Sequence, residues 1–566
     1  MKLLDKDVHR KDVIKADIEH LRKLFIMPDS PDKFLEFGYE LLNLIHNFFT
    51  EKGGIHSEIS LPELSKLFSN IQIPKSPQLL KDILSEIKDK IIAHSVKVGS
   101  PYYIGHMTSA IPYFMILLEM IIAALNQNQV KIETAKASTF VERELVAWIH
   151  KLIFNRSSNF YQRHIQNPDV ALGNVTLDGT IANLTAMLVA RNKAFPPKGR
   201  FPGIRKAGVY EALRHYNYNR AVIIVSNRGH YSFDKISRII GIGENNIIKI
   251  PVNSDNKIDI HKLRQTCYEI KEMNKDGEDR TKIISLIGIA GTTETGNIDN
   301  LVEIRKIADE YNTFFHVDAA WGGAVLLVDQ YRFLLNGIES ADSVTFDAHK
   351  LLYTPLSMGL ILFKEETALD YLKHTSEYII RADSVDQGRF TVEGSRPFSC
   401  LKPWSTLKIF GTEGFKLLLE QAFDNINYLR RIIEENSNLE PINQPELFIY
   451  NYRFVPEEIQ KELDSLLQEI AVQGKQGRNK LQKRVDKINT TLNELNIELH
   501  RKIRQEDNSF VSRTVLESTK YSPQRIVVLR AITINPLLTP EIMEEIINEH
   551  NQLGLKIYKS YTSSRF

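Results

Sequence analysis

The sequence has few of the residues that would place it outside the ordinary globular proteins. Only two of its 566 residues are cysteine, Cys267 and Cys400, and neither has a companion cysteine or histidine at the spacing of metal ligands. This scarcity excludes a disulfide framework, argues against a structural zinc, and predicts a reducing, cytoplasmic setting. Positive and negative charges nearly cancel, with a formal net charge of +2, so no general affinity for nucleic acid is expected.

The sequence also lacks a hydrophobic run long enough to cross a membrane. Its most apolar stretch, residues 111–125, is interrupted by Glu119 and is shorter than the roughly 20 residues that a membrane helix needs. We therefore expect a buried helix there, at a subunit interface. The first ten residues carry too many charges for a signal peptide, so no membrane partner is expected.

The pattern of hydrophobic residues divides the chain into three parts. Residues 1–100 have helical spacing and no visible chemistry, which predicts an accessory helical arm. Residues 101–410 alternate short apolar runs with helical stretches, which is typical of a large α/β domain. Residues 411–566 predict a small α+β domain. Within it, the charged helical segment 456–508 has apolar residues at helical spacing from Leu481 to Leu499, which predicts a long amphipathic helix that packs on a partner helix.

Short runs of apolar, largely β-branched residues in the large domain read as buried strands: 221–225, 283–290, 314–317, 343–346 and 359–363. Runs that are apolar on both faces favour a mostly parallel sheet covered by helices on each side. Ligands of such sheets bind in the loops beyond the strand ends. Chemistry is therefore expected where polar residues end these runs.

Two of the runs end in charged residues that suit one cofactor. Asp318 ends the segment 314–318, and Lys350 closely follows the run that ends at Phe346. A lysine and an aspartate at strand ends could simply form a structural ion pair. However, pyridoxal phosphate needs both groups, a lysine amine for a Schiff base and a carboxylate that keeps the pyridine nitrogen protonated.

The segments around these residues, His316-Val-Asp-Ala-Ala-Trp-Gly-Gly323 and Asp347-Ala-His-Lys350, resemble the signature of the group II pyridoxal-phosphate-dependent amino-acid decarboxylases. The resemblance is collinear from about residue 101 to about residue 539. It implies the fold type I, aspartate-aminotransferase-like α/β architecture. It also implies a homodimer with active sites at the subunit interface, a carboxy-lyase activity, and pyridoxal 5'-phosphate as cofactor.

The same resemblance implies roles for residues that match the family's motifs. Lys350 corresponds to the Schiff-base lysine and Asp318 to the partner of the pyridine nitrogen. Ala320 corresponds to a residue packed near the ring, and His349 to one near the phosphate or the site of protonation. In the segment 227–235, His230 corresponds to the histidine that stacks on the ring.

Two further segments resemble parts of the family's cofactor site. In the segment 291–299, Thr293 is the candidate for contact with the cofactor, and a plain glycine-rich turn is the alternative. Gly179 and Thr180, at the start of a predicted helix, suit the phosphate, because free backbone N–H groups there attract an anion. Asp178 departs from the small residue usual in the family, and it would repel the phosphate unless it caps the helix instead.

The residues implied for the substrate are His106 and Arg530. His106 falls near a substrate-binding glutamine of the glutamate enzymes, and Arg530 falls at an arginine that binds a carboxylate. Val385 falls where the family has a tyrosine that protonates the substrate carbon. Valine cannot donate a proton, so His349 or Tyr378 is the candidate acid.

The chain resembles in particular the bacterial aspartate decarboxylases of the glutamate-decarboxylase type. This implies decarboxylation of aspartate to β-alanine or of glutamate to GABA. Two other activities of the same fold are alternatives, aromatic amino-acid decarboxylation and decarboxylation-dependent aldehyde synthesis. A degenerate homologue that serves as a binding scaffold is the non-enzymatic alternative.

Overall fold

A computed structural model describes residues 18–565 other than 29, 52, 58, 278, 377–379, 382, 383 and 522. The predicted helical arm contains α1 (Ile18–Arg22), α2 (Phe34–Thr50), α3 (Leu61–Leu67) and α4 (Leu80–Lys90). Within the described arm, α2, α3 and α4 contain no buried residue. Apolar side chains of the arm therefore face outward in the single chain.

The large domain alternates helices and strands as its sequence predicts. Its helices are α5 (Tyr113–Leu125), α6 (Ile132–Ala135), α7 (Ala137–Phe154), α8 (Ser158–His164), α9 (Gly179–Ala194), α10 (Ile204–Tyr216), α11 (Ser232–Ile239), α12 (Ile260–Asp276), α13 (Leu301–Glu310) and α14 (Ala348–Leu351). Its strands are β1 (Gly173–Thr176), β2 (Arg220–Ser226), β3 (Ile247–Ile250), β4 (Thr281–Ile289), β5 (Phe314–Asp318), β6 (Ser343–Asp347) and β7 (Gly359–Phe363).

These strands form one sheet in the order β1-β7-β6-β5-β4-β2-β3. The neighbours from β3 to β6 pair in parallel, whereas β7 runs antiparallel to both β6 and β1. The predicted mostly parallel sheet is therefore confirmed. Strands β1 and β3 are missing from the sequence prediction because each has only four residues and interrupts its apolar run with a polar side chain.

Both faces of the sheet are covered, which explains why most residues of its strands are apolar. Val222 and Ile224 of β2 belong to the core on one face, and Ile223 and Val225 belong to the core on the other. Side chains of a strand alternate between faces, so a strand with only one buried face would instead alternate with polar residues. The covered faces leave the sheet's edges and strand ends as the places for polar chemistry.

The C-terminal part contains α15 (Leu401–Glu434), β8 (Leu439–Pro441), β9 (Ile449–Phe454), α16 (Glu457–Val472), α17 (Lys475–Glu506), β10 (Ser512–Glu517), β11 (Arg525–Ile532) and α18 (Pro540–Arg565). Its strands form an antiparallel sheet in the order β10-β11-β9-β8. The predicted long amphipathic helix is present as α17, and α16 is the partner helix on which it packs. The chain leaves the helix between them, at Gln473 and Gly474.

The helix predicted at residues 111–125 is present as α5, and in the single chain most of its residues are at least partly exposed. Only Met115 and Ile122 of α5 are buried, and Tyr113 is 78% exposed. Glu119, which interrupts the apolar run, lies 2.7 Å from the buried ammonium of Lys402. Among the described helices, none combines the length and hydropathy needed to cross a bilayer.

Candidate active site

Lys350 lies where β6 ends and the short helix α14 begins. Strand β6 is buried along its whole length, so the helix that follows starts at the carboxyl edge of the sheet. The Lys350 Nζ atom lies 3.0 Å from Oδ2 of Asp347, whose side chain is 3% exposed. The other carboxylate oxygen of Asp347 is buried without a hydrogen-bond partner. The lysine amine is thus held at the sheet edge by one buried carboxylate.

Asp318 ends the neighbouring strand β5, and its carboxylate is held at both oxygens. Oδ2 accepts a hydrogen bond of 3.0 Å from the side-chain amide of Asn183, and Oδ1 accepts one of 3.2 Å from the backbone N–H of Ala320. Each oxygen keeps a further lone pair for another donor. Ala320, predicted to pack near the cofactor ring, thus also orients the aspartate through its backbone.

His230 follows strand β2, and its orientation is defined by Ser232. The Ser232 backbone N–H donates to Nδ1 of His230 at 3.3 Å, and the Ser232 hydroxyl lies 2.8 Å from the same atom. Because a backbone N–H can only donate, Nδ1 accepts, and the neutral imidazole carries its proton on Nε2. Burial lowers the pKa of His230, which favours this neutral form.

The electrostatics of His230 show that separate segments converge around it. Four charged groups shift its pKa, namely Asp178, Asp318, Asp347 and Lys350. They lie at the start of α9, at the ends of β5 and β6, and in α14, which follows β6. Parallel strands bring their carboxyl ends to one edge, so this convergence follows from the sheet topology.

Asp178 is the N-cap of α9. Its Oδ1 accepts a hydrogen bond of 3.0 Å from the backbone N–H of Ile181, which satisfies one otherwise free donor of the first turn. The capping alternative is therefore the observed one. A Cβ atom on Gly179 would lie 2.8 Å from Oδ2 of Asp347, so a glycine allows this close approach, and Thr180 follows, partly exposed.

The remaining predicted cofactor residues differ in their contacts. The imidazole of His349 bonds through Nδ1 to the backbone oxygen of Met358 at 2.9 Å, and its Nε2 lies 3.8 Å from Asp347. Thr293 is partly exposed, whereas the hydroxyls of its neighbour Thr292 and of Thr295 bond each other in the interior. Thr293 is therefore the threonine of this loop that is free to meet a ligand.

The electrostatics of His106 connect the two predicted substrate residues with Lys350. Burial lowers the pKa of His106, and the charges of Arg530, Lys350 and His349 lower it further, so the four groups are close. Arg530 is buried, yet among the described residues its guanidinium donates only one hydrogen bond, of 3.3 Å, to the backbone oxygen of Gly105. Its Nε has no partner. Burial lowers the pKa of Arg530 to about 10, which leaves it charged at neutral pH.

Val385 is partly buried and supplies no acid, and Tyr378 lies outside the described residues. Sequence reasoning missed three residues of the site, Asn183, Ser232 and Asp347. The spacing of Asn183 could have indicated it, because a residue four positions after Gly179 lies on the same face of a helix.

These residues fit pyridoxal phosphate. A carboxylate with spare lone pairs suits the pyridine nitrogen, and an amine beside it suits the aldehyde carbon. The glycine at the start of α9 suits the phosphate, because the helix presents free N–H groups there. We expect His230 to lie against the ring, since its imidazole is within electrostatic range of both Asp318 and Lys350.

Comparisons with known proteins agree with this arrangement. Residues 62–454 match the conserved domain of the pyridoxal-dependent decarboxylases. The chain is 37% identical to an aspartate 1-decarboxylase of Aliivibrio fischeri over 539 residues, 95% of each protein. It is 27% identical to an L-2,4-diaminobutyrate decarboxylase of Acinetobacter baumannii, over 73% of this chain and 78% of that protein.

Solved structures with the same fold include two of low sequence identity to this chain. Mouse CSAD is 22% identical with a TM-score of 0.75, covering 92% of this chain and 97% of that one. Oryza sativa TDC with PLP and tryptamine is 16% identical with a TM-score of 0.76, covering 94% of this chain and all of that one. The predicted fold type I architecture is thereby confirmed.

Proposed function

Because this chain belongs to the family of pyridoxal-dependent decarboxylases, we propose that its substrate is an acidic L-amino acid. It is a pyridoxal-phosphate-dependent carboxy-lyase that acts on amino acids. Aspartate, which would yield β-alanine, is the leading candidate, and glutamate, which would yield GABA, is the second. The aspartate 1-decarboxylase of Aliivibrio fischeri, similar over 95% of the chain, supports this order.

The observation that carries the proposal is the state of Arg530. A buried guanidinium that donates only to the oxygen of Gly105, and whose Nε has no described partner, is short of the acceptors that burial normally demands. A substrate carboxylate would supply two acceptors in the planar geometry that arginine matches. Arg530 therefore suits a carboxylate of the substrate.

The charges around Arg530 favour a second negative group on the substrate over a positive one. Lys350 and Arg530 both act on His106, so this side of the site is electropositive. The nearby carboxylate of Glu294 is already paired, 3.0 Å from the buried guanidinium of Arg228. An ammonium side chain, as in 2,4-diaminobutyrate, would be repelled here.

The chain's own residues would divide the work as follows. When bound, pyridoxal phosphate supplies the electron-accepting ring that allows the bond to the substrate carboxylate to break. Lys350 holds the cofactor, and Asp318 keeps a proton on the pyridine nitrogen. His230 would pack its ring against the cofactor, and its Nε2–H would be available as a hydrogen-bond donor. His349 and Tyr378 are the candidates for protonating the carbon that loses CO2.

A release assay for CO2 with product identification tests the substrate proposal. Candidate substrates are L-aspartate, L-glutamate, L-2,4-diaminobutyrate, L-tyrosine, L-tryptophan, L-histidine and cysteine sulfinate. We expect kcat/KM to be highest for aspartate, with β-alanine as product. A higher value for the diamino or aromatic substrates would contradict the proposal, and an aldehyde with ammonia and peroxide would indicate aldehyde synthesis. No release from any substrate would favour the scaffold alternative.

Replacing Arg530 by lysine should lower kcat/KM for aspartate by about 30- to 1,000-fold, since a buried charged pair that loses its geometry costs about 2–4 kcal/mol. Arg525 lies on the same strand but is exposed, and Arg525→Lys is the matched control. Steady-state kinetics on both variants provide the measurement. Equal effects of the two substitutions would remove Arg530 from the substrate site.

We further propose that two copies of the chain form a homodimer through the arm and α5. Ile71 and Ile73 of the arm are 96% and 93% exposed, and α5 exposes Tyr113 and Ile121 on an otherwise apolar helix. Exposed apolar surface of this extent marks an interaction site. A reducing, cytoplasmic location is proposed as well, supported by the buried free thiols of the two cysteines.

The double substitution Ile71→Asp and Ile73→Asp should raise the dimer dissociation constant at least about tenfold, because each charge would have to be buried in an apolar contact. Sedimentation velocity over a concentration series measures this constant. Val472, which is 85% exposed at the end of α16, provides the control Val472→Asp. An unchanged monomer–dimer equilibrium in the double variant would exclude the arm from the interface.

A further inference from the structure

Four buried polar side chains lie behind the carboxylate of Asp318, and we refer to them as the Asn183 network. They are Asn183, His316, Ser343 and Thr345, each at most 2% exposed. Their hydrogen bonds form a continuous chain that ends on Asp318. The roles proposed above for the site residues do not use any of the four.

The distances define the connections of the Asn183 network. The Asn183 side-chain nitrogen donates to Oδ2 of Asp318 at 3.0 Å. Its oxygen accepts from the Thr345 hydroxyl at 2.6 Å and faces Nε2 of His316 at 2.9 Å. The other ring nitrogen of His316 lies 2.8 Å from the Ser343 hydroxyl. Among the described residues, the side-chain amide of Asn183 therefore has a partner for its oxygen and for one of its two N–H groups.

Secondary structure brings these residues together. His316 and Asp318 are two residues apart on β5, so their side chains lie on the same face of the sheet. In the parallel register of β5 and β6, His316 pairs with Ser343 and Asp318 pairs with Thr345. Asn183 lies on the helix face of Gly179, one turn further along α9. The side chain of Asn183 on α9 thus meets three neighbouring positions of the sheet, His316, Asp318 and Thr345.

The proton positions in the Asn183 network follow from the carboxylate of Asp318 at its end. An ionised carboxylate can only accept hydrogen bonds, so the NH2 group of Asn183 must face Asp318 and its oxygen must face Thr345 and His316. His316 then carries its proton on Nε2, and Nδ1 accepts from Ser343. Burial lowers the pKa of His316 to about 4, which keeps the imidazole neutral. The amide is held in one orientation because both groups at its oxygen are donors.

We propose that Asn183 is a positioning residue for the cofactor, which holds the carboxylate of Asp318 directed at the pyridine nitrogen, and that Thr345 and His316 keep its amide from rotating. The inference rests on the role proposed for Asp318 above. Rotation of the amide by 180° would direct the Asn183 oxygen at a carboxylate oxygen, and the two acceptors would repel each other. The network excludes that orientation.

The main test compares Asn183→Ala with Asn192→Ala. Asn192 lies on the same helix, is 5% exposed, and donates to the backbone oxygen of Tyr371 at 2.9 Å, so its loss removes a buried hydrogen bond without touching Asp318. The readouts are the dissociation constant of pyridoxal phosphate, titrated into stripped protein, and the ratio of its visible to near-ultraviolet absorbance when bound. Thermal unfolding reports the loss of stability in both variants.

We expect Asn183→Ala to raise the dissociation constant at least about tenfold and to change the absorbance ratio, since a hydrogen bond to a charged group is lost. Asn192→Ala should keep both quantities within about twofold of the unmodified protein, because it only lowers stability. The same change in both variants would reduce Asn183 to a structural residue and overturn the inference.

A double-substitution cycle separates this inference from the role of Asp318. In the Asp318→Asn background, Asn183→Ala should have no further effect on cofactor affinity, because the charge that it serves is absent. An effect of equal size in both backgrounds would contradict the inference alone. An Asp318→Asn protein with unchanged affinity and absorbance would instead contradict the proposed role of Asp318.

Thr345→Val provides the test should Asn183→Ala fail to fold. Valine has the shape of threonine and removes only the hydroxyl that donates to the Asn183 oxygen. The absorbance ratio should change in the same direction as for Asn183→Ala, with a rise in the dissociation constant of about threefold. Values equal to those of the unmodified protein would contradict the proposed role of Thr345 in orienting the side-chain amide of Asn183.

Discussion

Lys350→Ala protein purified with pyridoxal phosphate should lack the visible absorbance that borohydride removes, and its decarboxylation rate should fall at least about 10³-fold. The reason is chemical, since no other described amine is held beside Asp318 and His230 at the sheet edge. Mass spectrometry after borohydride reduction should find the cofactor on residue 350 of the unmodified protein and on no residue of the variant.

Lys350→Arg separates the loss of the amine from the loss of charge. Lys350→Ala leaves the carboxylate of Asp347, which is 3% exposed, without its cation, and this should lower the free energy of unfolding. Arginine restores a positive charge but cannot attach the cofactor. We expect Lys350→Arg to be the more stable variant and equally inactive. Lys364→Ala, at the end of β7, is the control, and a reducible adduct in the Lys350→Ala protein would disprove the assignment.

Asp318→Asn should lower kcat by about 10²- to 10³-fold, the scale on which removal of a preorganised electrostatic group slows an enzyme. The substitution conserves size and can still accept the hydrogen bond of Asn183, but it removes the negative charge that stabilises a protonated pyridine nitrogen. Cofactor affinity should fall as well, and the bound absorbance should change. Single-turnover measurement of CO2 release separates the chemical step from binding.

The matched control is Asp342→Asn. Asp342 lies just before β6, at the opposite edge of the sheet, where its carboxylate accepts from the backbone N–H of Phe315 at 2.8 Å and lies 3.1 Å from Arg305. This substitution should lower stability but leave kcat and cofactor affinity within about twofold, since the active edge is elsewhere. If Asp318→Asn and Asp342→Asn lowered kcat equally, the effect would come from the fold and not from the cofactor's nitrogen.

Local sequence was enough to predict the residues that carry the chemistry. Lys350 and Asp318 could be singled out because each stands at the end of a largely apolar run, and such runs form buried strands. Their strand-end positions needed only the rule that ligands meet parallel sheets at one edge. The roles of these two residues and of His230 followed from the resemblance to the decarboxylase family, and Gly179 also from its place at the start of a predicted helix.

Other features depended on contacts between distant segments. The sequence of β1 is too short to show that it pairs with β7, and the break at Gly474 inside the charged segment has no strong local signal. The role of Asp178 could not be decided from the sequence, because a helix cap and a phosphate contact are equally consistent with its position before α9. Its hydrogen bond to Ile181 distinguishes them.

The sequence by itself therefore determined the cofactor, the α/β class and the lysine proposed to carry the cofactor. Only the tertiary structure decided which groups support them. Asn183 and Asp318 are 135 positions apart in the sequence. Arg530 donates its hydrogen bond to the backbone oxygen of Gly105, which is 425 positions away. Apolar periodicity is a local property of a chain, whereas strand register and side-chain hydrogen bonds depend on which distant segments the packed core brings together.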